Sequence, residues 1–498
     1  MSKRIVILGG GTAGWMAANL FAKKWADKDV QITLIESPDI GIVGVGEGST
    51  PTLKRFFEIL EIPDADWMPR CNASYKVGIR FEGWSPRSGV ESYSHPFFSQ
   101  VDTFTQNAFL TNCRTRRLGL AVHTQPDDFF LNGVLAQQEK GPQTPNHFPF
   151  VTEYGYHFDS GLLGQFLCET AVSQGVTHVQ ARITEVLQDS LGNIQSLKSD
   201  EREHYDGDFF VDCTGFASVL MQKTLGVAFN SYKSNLYNDA AVVMPTPISD
   251  QFPAETVSTA LSSGWCWRIP LTHRFGNGYV YSSDFISSND AEQELRSFLG
   301  VLDNDIEARH LKMRVGQLEQ HWYKNCLGLG LSQGFIEPLE ATALLLVQVT
   351  VEQFISHYEK GEFGEAYQAD FNKDIFQRFE RVRDYIVAHY KLNTRDDSDY
   401  WRANRENKAL SDSLLHILDA WYRREDVSAE ISRQAIVSHF GTLSWHCLLS
   451  GYGAYPELAE NQPNRGDHYQ EQGVADFLNR CALNFDPHMD NLARLNKS

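Results

Sequence analysis

The sequence predicts an α/β fold: a nucleotide-binding module on parallel strands, interrupted by insertions and followed by a helical C-terminal region. Three observations carry this expectation. An apolar run over residues 4–8 leads straight into Gly9-Gly10-Gly11-Thr12-Ala13-Gly14 and then a helix-like stretch over about 13–26. Residues 31–36 (Gln-Ile-Thr-Leu-Ile-Glu) supply the next strand and complete a β-α-β unit. Apolar positions then recur at helical spacing over 363–391, 408–424 and 428–449. The expected division is therefore 1–360, a nucleotide-binding module with inserted substrate-binding elements, and 361–498, mainly helical.

The intervening elements read in order as follows. A Gly-rich loop covers 41–49, and Pro51 suits the first turn of a helix. Residues 72–150 mix Phe, Asn, Gln and Pro without any repeat. A helix over about 160–174 leads to short strands that end in the apolar run and Gly turn of 208–215. Strands are expected at 278–286 and 326–332, and a helix at about 341–359. Residues 461–470 form a tail rich in Asn, Gly, Asp and Pro.

Composition narrows the function. A chain of 498 residues suits two or three structural units. With 31 Phe, 19 Tyr and 10 Trp it can bury a large core, which excludes disorder. The balance of 44 basic against 63 acidic residues, net −19, argues against nucleic acid and against an anionic membrane surface as partners. Eight scattered cysteines form no CxxC pair, so no zinc site is expected and the thiols read as reduced ones of a cytoplasmic protein. No run of 18 apolar residues predicts a membrane span, and the apolar stretch after the N-terminus is too short for a signal peptide.

The glycine cluster fits G-x-G-x-x-G. The first glycine permits the tight turn, the second lets backbone approach a pyrophosphate, and the third allows close helix–strand packing. Gly9, Gly11, Thr12, Ala13 and Gly14 then offer backbone N–H groups at a helix N-terminus, where anions are favoured. Glu36, 22 residues beyond Gly14, ends the next strand and is placed for ribose hydroxyls. This pattern alone leaves FAD and NAD open. The late strand ending in Asp212-Cys213-Thr214-Gly215 points to a two-part FAD module. No second G-x-G-x-x-G follows a later strand, so the electrons must come from elsewhere.

Four segments together resemble the flavin-dependent tryptophan halogenases. They are Gly9-Gly10-Gly11-Thr12-Ala13-Gly14-Trp15-Met16-Ala17-Ala18, Val45-Gly46-Glu47-Gly48-Ser49-Thr50-Pro51, Gly264-Trp265-Cys266-Trp267-Arg268-Ile269-Pro270 and Glu337-Pro338-Leu339-Glu340-Ala341-Thr342. The third matches G-W-x-W-x-I-P, and the fourth is similar to P-L-E-S-T. The resemblance covers about residues 3–350 and implies a fold of the FAD-dependent monooxygenase type with an added helical substrate region.

It also implies roles. Lys76, in Tyr75-Lys76-Val77-Gly78-Ile79-Arg80-Phe81, takes the place of the family's essential lysine, which holds hypohalous acid or a haloamine near one ring carbon. Glu340 polarises the halogen species and accepts the ring proton. Thr342 and Ala343 open a helix whose N–H groups hold chloride or bromide beside the flavin. Val45, Gly46, Glu47 and Ser49 form a strap against the FAD. Trp265 and Trp267 wall the flavin from the organic substrate, and His95 and Phe97 clamp an aromatic ring. A separate flavin reductase supplies FADH2, and a homodimer is expected because many members dimerise.

Two departures matter. Family members usually carry Ser and Gly where this chain has Ala341 and Ala343, so a φ above zero at 343 would be strained. The Tyr-Tyr pair and Glu that hold the amino-acid head group of tryptophan have no counterpart around residues 442–453, where only Trp445 and Tyr452 are available to stack on a ring. Indole or a larger aromatic compound is therefore expected in preference to free tryptophan. The rival readings are an aromatic FAD hydroxylase and a flavin-binding protein without turnover.

Overall fold

The computed structural model describes residues 2–39, 46–249, 252–435 and 440–495. The chain forms two compact units, each drawn from three segments. The first comprises Met1–Asn72, Phe158–Tyr232 and Arg314–Glu380. The second comprises Ala73–His157, Lys233–Met313 and Arg381–Ser498.

The first unit is built on a six-stranded sheet in the order Trp322–Tyr323, Cys326–Gly328, Phe209–Asp212, Lys3–Leu8, Val30–Glu36, Thr177–Gln180. Every pairing is parallel except the hairpin at the Trp322 edge. Ile5, Val6, Ile7 and Leu8 are all buried. A central parallel strand is covered on both faces, which is why it reads as an unbroken apolar run. Helices Thr12–Lys24, Ser160–Ser173 and Ala343–Lys360 belong to the same unit. Trp25 closes the first of these, stacking on Phe21 at 4.7 Å and donating its Nε1–H to Glu359 over 2.8 Å. The expected strand at 326–332 is shorter, Cys326–Gly328. Gly330, at φ 60°, bends the chain into a 3-10 turn over Gly330–Ser332.

The second unit carries a seven-stranded sheet in the order Arg309–Lys312, Ala240–Thr246, Arg274–Tyr281, Gly264–Leu271, Glu255–Leu261, Gly78–Glu82, Ser92–Pro96. Only the pairing of Glu255–Leu261 with Gly78–Glu82 is parallel. The strand expected at 278–286 runs instead over Arg274–Tyr281. A tight turn at 272–273 fixes its start, and Gly276 and Gly278 dilute the β-forming pattern there. Residues 361–495 hold helices and, among the described residues, no strand of two or more residues. The helical spacing over 428–449 corresponds to two helices, Val427–Arg433 and Thr442–Gly451. Ala435 at φ 56° turns the chain after the first, and Gly441 caps the second. Among the described residues no helix is long and apolar enough to cross a membrane.

Candidate active site

The residues expected to hold the nucleotide lie in the first unit. Gly9 adopts φ +116°, and a Cβ there would sit 2.3 Å from the Cys213 carbonyl oxygen. Only glycine lets this turn press against the second one. A Cβ on Gly14 would meet the Gly9 oxygen at 2.1 Å, so the helix packs directly on the turn. At Gly11 a Cβ would meet no protein atom within 4 Å, which leaves backbone open to a ligand. Gly11 is also the N-cap of Thr12–Lys24 and brings no capping side chain, so the first N–H groups, those of Thr12, Ala13 and Gly14, suit a pyrophosphate. Glu36 folds over the turn, its Oε2 occupying the space a side chain on Gly10 would need.

Asp212 holds the second turn. Its buried carboxylate accepts hydrogen bonds from Thr214 N (3.0 Å), Thr214 Oγ1 (2.6 Å), Ser332 Oγ (3.0 Å), Leu220 N (2.8 Å) and Met221 N (2.8 Å). Five donors satisfy it without a cation. Of the strap, Gly46 and Glu47 lie on the strand Gly46–Gly48 and Ser49 follows, buried. Val45 lies outside the described residues. Burial pushes the Glu47 carboxyl up to about 7, opposed by a hydrogen bond from Ser160 and assisted by the Asp159 charge.

Helix Ala343–Lys360 begins at the expected anion site. Thr342 is its N-cap, and its Oγ1 is buried with no hydrogen-bond partner among the described residues. Glu340 is buried in the 3-10 turn Pro338–Glu340 just before it. The left-handed residue is Ala341, at φ 55°, whereas Ala343 is the first residue of the helix. The expected strain therefore falls two positions earlier. A left-handed alanine costs about 1–2 kcal/mol.

The remaining candidates lie in the second unit. Lys76 ends the strand Ser74–Lys76, which pairs antiparallel with Gly155–Asp159 (Ser74 opposite His157, Lys76 opposite Gly155). Its side chain is wholly buried, and Nζ lies 5.5 Å from the centroid of the Phe97 ring. Backbone bonds fix this approach: Val77 N donates to Ala254 O (2.7 Å), and Phe97 N donates to Val77 O (2.9 Å). Ser74 Oγ donates to the Pro270 carbonyl at 2.7 Å and so accepts from His157 Nδ1–H at 3.2 Å. His157 Nε2 then accepts from Thr256 Oγ1 at 2.9 Å. Burial, and after it the charge of Lys76, pushes the His157 pKa well below the usual histidine value, so this ring stays neutral.

Trp265 and Trp267 share one face of the strand Gly264–Leu271, with ring centroids 6.0 Å apart. Both are buried, and Trp267 lies over Gly278 of the neighbouring strand. His95 Nε2 is 3.1 Å from Ser444 Oγ, and its ring lies near Tyr385 and Phe440. Tyr385 stacks on Phe440 at 3.7 Å and meets Trp445 edge-on at 5.0 Å. Tyr452 belongs to an adjoining cluster, its hydroxyl bonded to His389 Nδ1 at 3.0 Å and its ring against Tyr93. The structure thus brings Lys76 to Phe97, and His95 and Trp445 to a shared Tyr385. Nothing in the sequence marks Tyr385 or Phe440, since each reads locally as a helix-core aromatic. Nor does the sequence mark His157 or His178, because a lone histidine in a short strand gives no signal of its own.

Comparison with known proteins supplies the family. The model of the tryptophan halogenases matches residues 4–465. The tryptophan 6-halogenase SttH of Streptomyces toxytricini is 38% identical over 446 residues, covering 84% of this chain and 83% of its own. The tryptophan 7-halogenase RebH of Lentzea aerocolonigenes is 32% identical over 480 residues, covering 91% and 90%. Among solved structures, Xcc4156, a flavin-dependent halogenase from Xanthomonas campestris, superposes with a TM-score of 0.84 at 30% identity, covering 99% of this chain and 98% of that one. With the glycine turn, the parallel sheet and the C-terminal helices in place, these matches assign the chain: it is a flavin-dependent halogenase and belongs to the tryptophan halogenase family.

Proposed function

We propose that the enzyme uses reduced FAD, O2 and chloride or bromide to halogenate an indole ring, preferring indole or an indole derivative to free tryptophan. The observation that carries this reading is Lys76, a wholly buried lysine held against the Phe97 ring. A lysine seldom gives up all its hydration without a chemical reason.

The residues at the glycine turn fit the cofactor. Gly9 and Gly14 close the turn, Gly11 leaves backbone open, the uncapped N–H groups of Thr12, Ala13 and Gly14 suit phosphate, and Glu36 suits the ribose. Val45, Gly46, Glu47 and Ser49 are proposed to strap the flavin. When bound, reduced flavin with O2 supplies the oxidant that turns halide into hypohalous acid. The N–H groups of Thr342 and Ala343 hold the halide at the helix start. Lys76 then captures the halogen. Its ammonium hydrogen-bonds hypohalous acid, or its amine exchanges N–H for N–halogen with release of water. As the ring carbon gains the halogen and loses its proton, Glu340 accepts that proton. Trp265 and Trp267 keep the aromatic substrate from the oxidant's source.

Substrate preference follows from charge. Residues 440–453 contain no Asp or Glu, so this segment offers no carboxylate for an amino-acid ammonium. Its neighbourhood is aromatic instead: His95, Tyr385, Phe440 and Trp445.

The test is mass spectrometry of aerobic reactions with FAD, a flavin reductase, NADH, bromide or chloride, and either indole or tryptophan. Wild type is expected to give halogenated indole, at a higher kcat/KM than tryptophan. Lys76→Ala should lower product formation on the order of 10²–10⁴-fold while reduced flavin is still oxidised. A kcat/KM favouring tryptophan would refute the substrate preference. Hydroxyindole formed regardless of halide would make this an aromatic hydroxylase. Flavin oxidation without product across a panel of larger aromatics would leave a flavin-binding protein.

A further inference from the structure

We infer that His178 is a positioning residue for the cofactor: it holds the Glu36 carboxylate over the glycine turn, where that carboxylate receives the hydroxyls of the adenosine ribose. The inference rests on the proposed FAD role of Glu36.

The geometry comes from strand register. Strand Thr177–Gln180 runs parallel to Val30–Glu36, with His178 opposite Leu34 and Gln180 opposite Glu36. Side chains two apart share a face, so Glu36 and His178 are diagonal neighbours on the same side of the sheet. His178 Nε2 lies 2.7 Å from Glu36 Oε1. An ionised carboxylate only accepts, so Nε2 carries the hydrogen. Nδ1 faces Cys168 Sγ at 3.8 Å. Burial, with the charges of Glu36 and Glu169 behind it, raises the Cys168 thiol to about 11, so the sulfur keeps its proton and can donate to Nδ1. The Trp15 indole meets the His178 ring edge-on at 5.1 Å. The imidazole is therefore fixed from three sides: by the glycine-turn helix through Trp15, by helix Ser160–Ser173 through Cys168, and by Glu36 itself.

The carboxylate is used economically. It offers about four acceptor positions, and His178 occupies one on Oε1. Oε2 lies over Gly10, where a Cβ would come within 1.6 Å. Gly10 stands at a position of the fingerprint where other residues are ordinarily allowed, and here it makes room for Glu36. The Glu36 side chain is still 26% exposed. Without the imidazole it would turn towards water and would have to be ordered again when the ribose arrives. Ordering one such side chain corresponds to roughly a 3–10-fold loss of affinity.

The experiment titrates the full chain with FAD by flavin fluorescence. Wild type, His178→Leu, His178→Gln, Glu36→Gln and the double variant Glu36→Gln/His178→Leu are compared, with thermal melting of each apoprotein. His178→Leu is expected to weaken FAD binding about 3–10-fold. His178→Gln, whose amide keeps a donor near the Nε2 position, should recover most of that. In the Glu36→Gln background, His178→Leu should add almost nothing, because His178 acts only through that carboxylate. Unchanged FAD affinity in His178→Leu, or a loss that adds in full to that of Glu36→Gln, overturns the inference while leaving the flavin reading intact. Failure of wild type to bind FAD overturns the flavin reading, and this inference with it.

Discussion

Lys76 and Glu340 show what single side chains are asked to do. Both are buried where a charged group ordinarily would not be, Lys76 at 0% and Glu340 at 3% exposure. As the proposed proton acceptor, Glu340 gives a sharp expectation. Glu340→Gln keeps volume and hydrogen-bonding capacity but removes the basic oxygen. Turnover should fall on the order of 10²–10⁴-fold, with flavin oxidation retained. A deuterium isotope effect at the halogenated ring carbon should also emerge as proton loss becomes slow. A kcat within a factor of about three of wild type would assign the proton to another acceptor. Neither residue announces itself in composition or periodicity; only the resemblance of the segments around them to the halogenase motifs marks them. Ala341 makes the complementary point: the sequence marks both alanines as departures, and the backbone places the left-handed conformation at 341 and not at 343.

At the scale of elements, the strand Gly264–Leu271 and the helix Thr442–Gly451 each carry an expectation. Trp267 rests on Gly278 across the ladder, and a Cβ there would lie 2.1 Å from the indole. Gly278→Ala should therefore displace the indole or bend the strand, costing about 1–3 kcal/mol. If Trp267 forms part of the wall, more reduced flavin should be consumed per product formed, and melting together with peroxide yield checks both effects. Within the helix, His446 donates Nδ1–H to the Thr442 carbonyl at 2.7 Å, and burial pushes its pKa down to about 4. The unfolded chain binds this proton near pH 6.5, whereas the folded one resists it. Its stabilising contribution is thus complete above pH 6.5 and is lost as pH falls towards 4, on the order of 3 kcal/mol in all. His446→Gln should flatten that part of the acid unfolding profile. An unchanged slope in urea titrations between pH 6.5 and 4.5 would show that the ring is already protonated or hydrated. Elements were readable from sequence where apolar period and glycine position agree, as in Lys3–Leu8 and Thr12–Lys24. They drifted where glycines sit inside a strand, as in Arg274–Tyr281, or where a left-handed residue breaks a helix, as at Ala435.

At the scale of the molecule, a linear reading separates residues 1–360 from 361–498, but the compact units interleave three segments each. Long-range pairing such as Ile5 with Phe209, or Gly78 with Glu255, leaves no local trace, and that is why the interleaving could not be read directly. What the whole sequence does show is how many glycine fingerprints it carries. Only one G-x-G-x-x-G follows a strand, and the described parallel sheet that carries it is completed by a single second turn at Asp212. A pyridine-nucleotide site of the Rossmann type would carry its own glycine turn and helix N-terminus, and the sequence has no second such motif. NADH alone should therefore leave enzyme-bound FAD oxidised, with no bleaching of its visible absorbance. FAD reduced photochemically, then mixed with enzyme, bromide, indole and aerated buffer, should give bromoindole in a single turnover without any reductase. This combination separates electron supply from halogenation, because a reductase is then required only to make reduced flavin and not to touch the halogenase. Bleaching by NADH without a reductase would mean that the chain binds a pyridine nucleotide through a motif other than the glycine fingerprint. A strict need for one particular reductase, even with reduced flavin already supplied, would place a partner-dependent step on the halogenase itself.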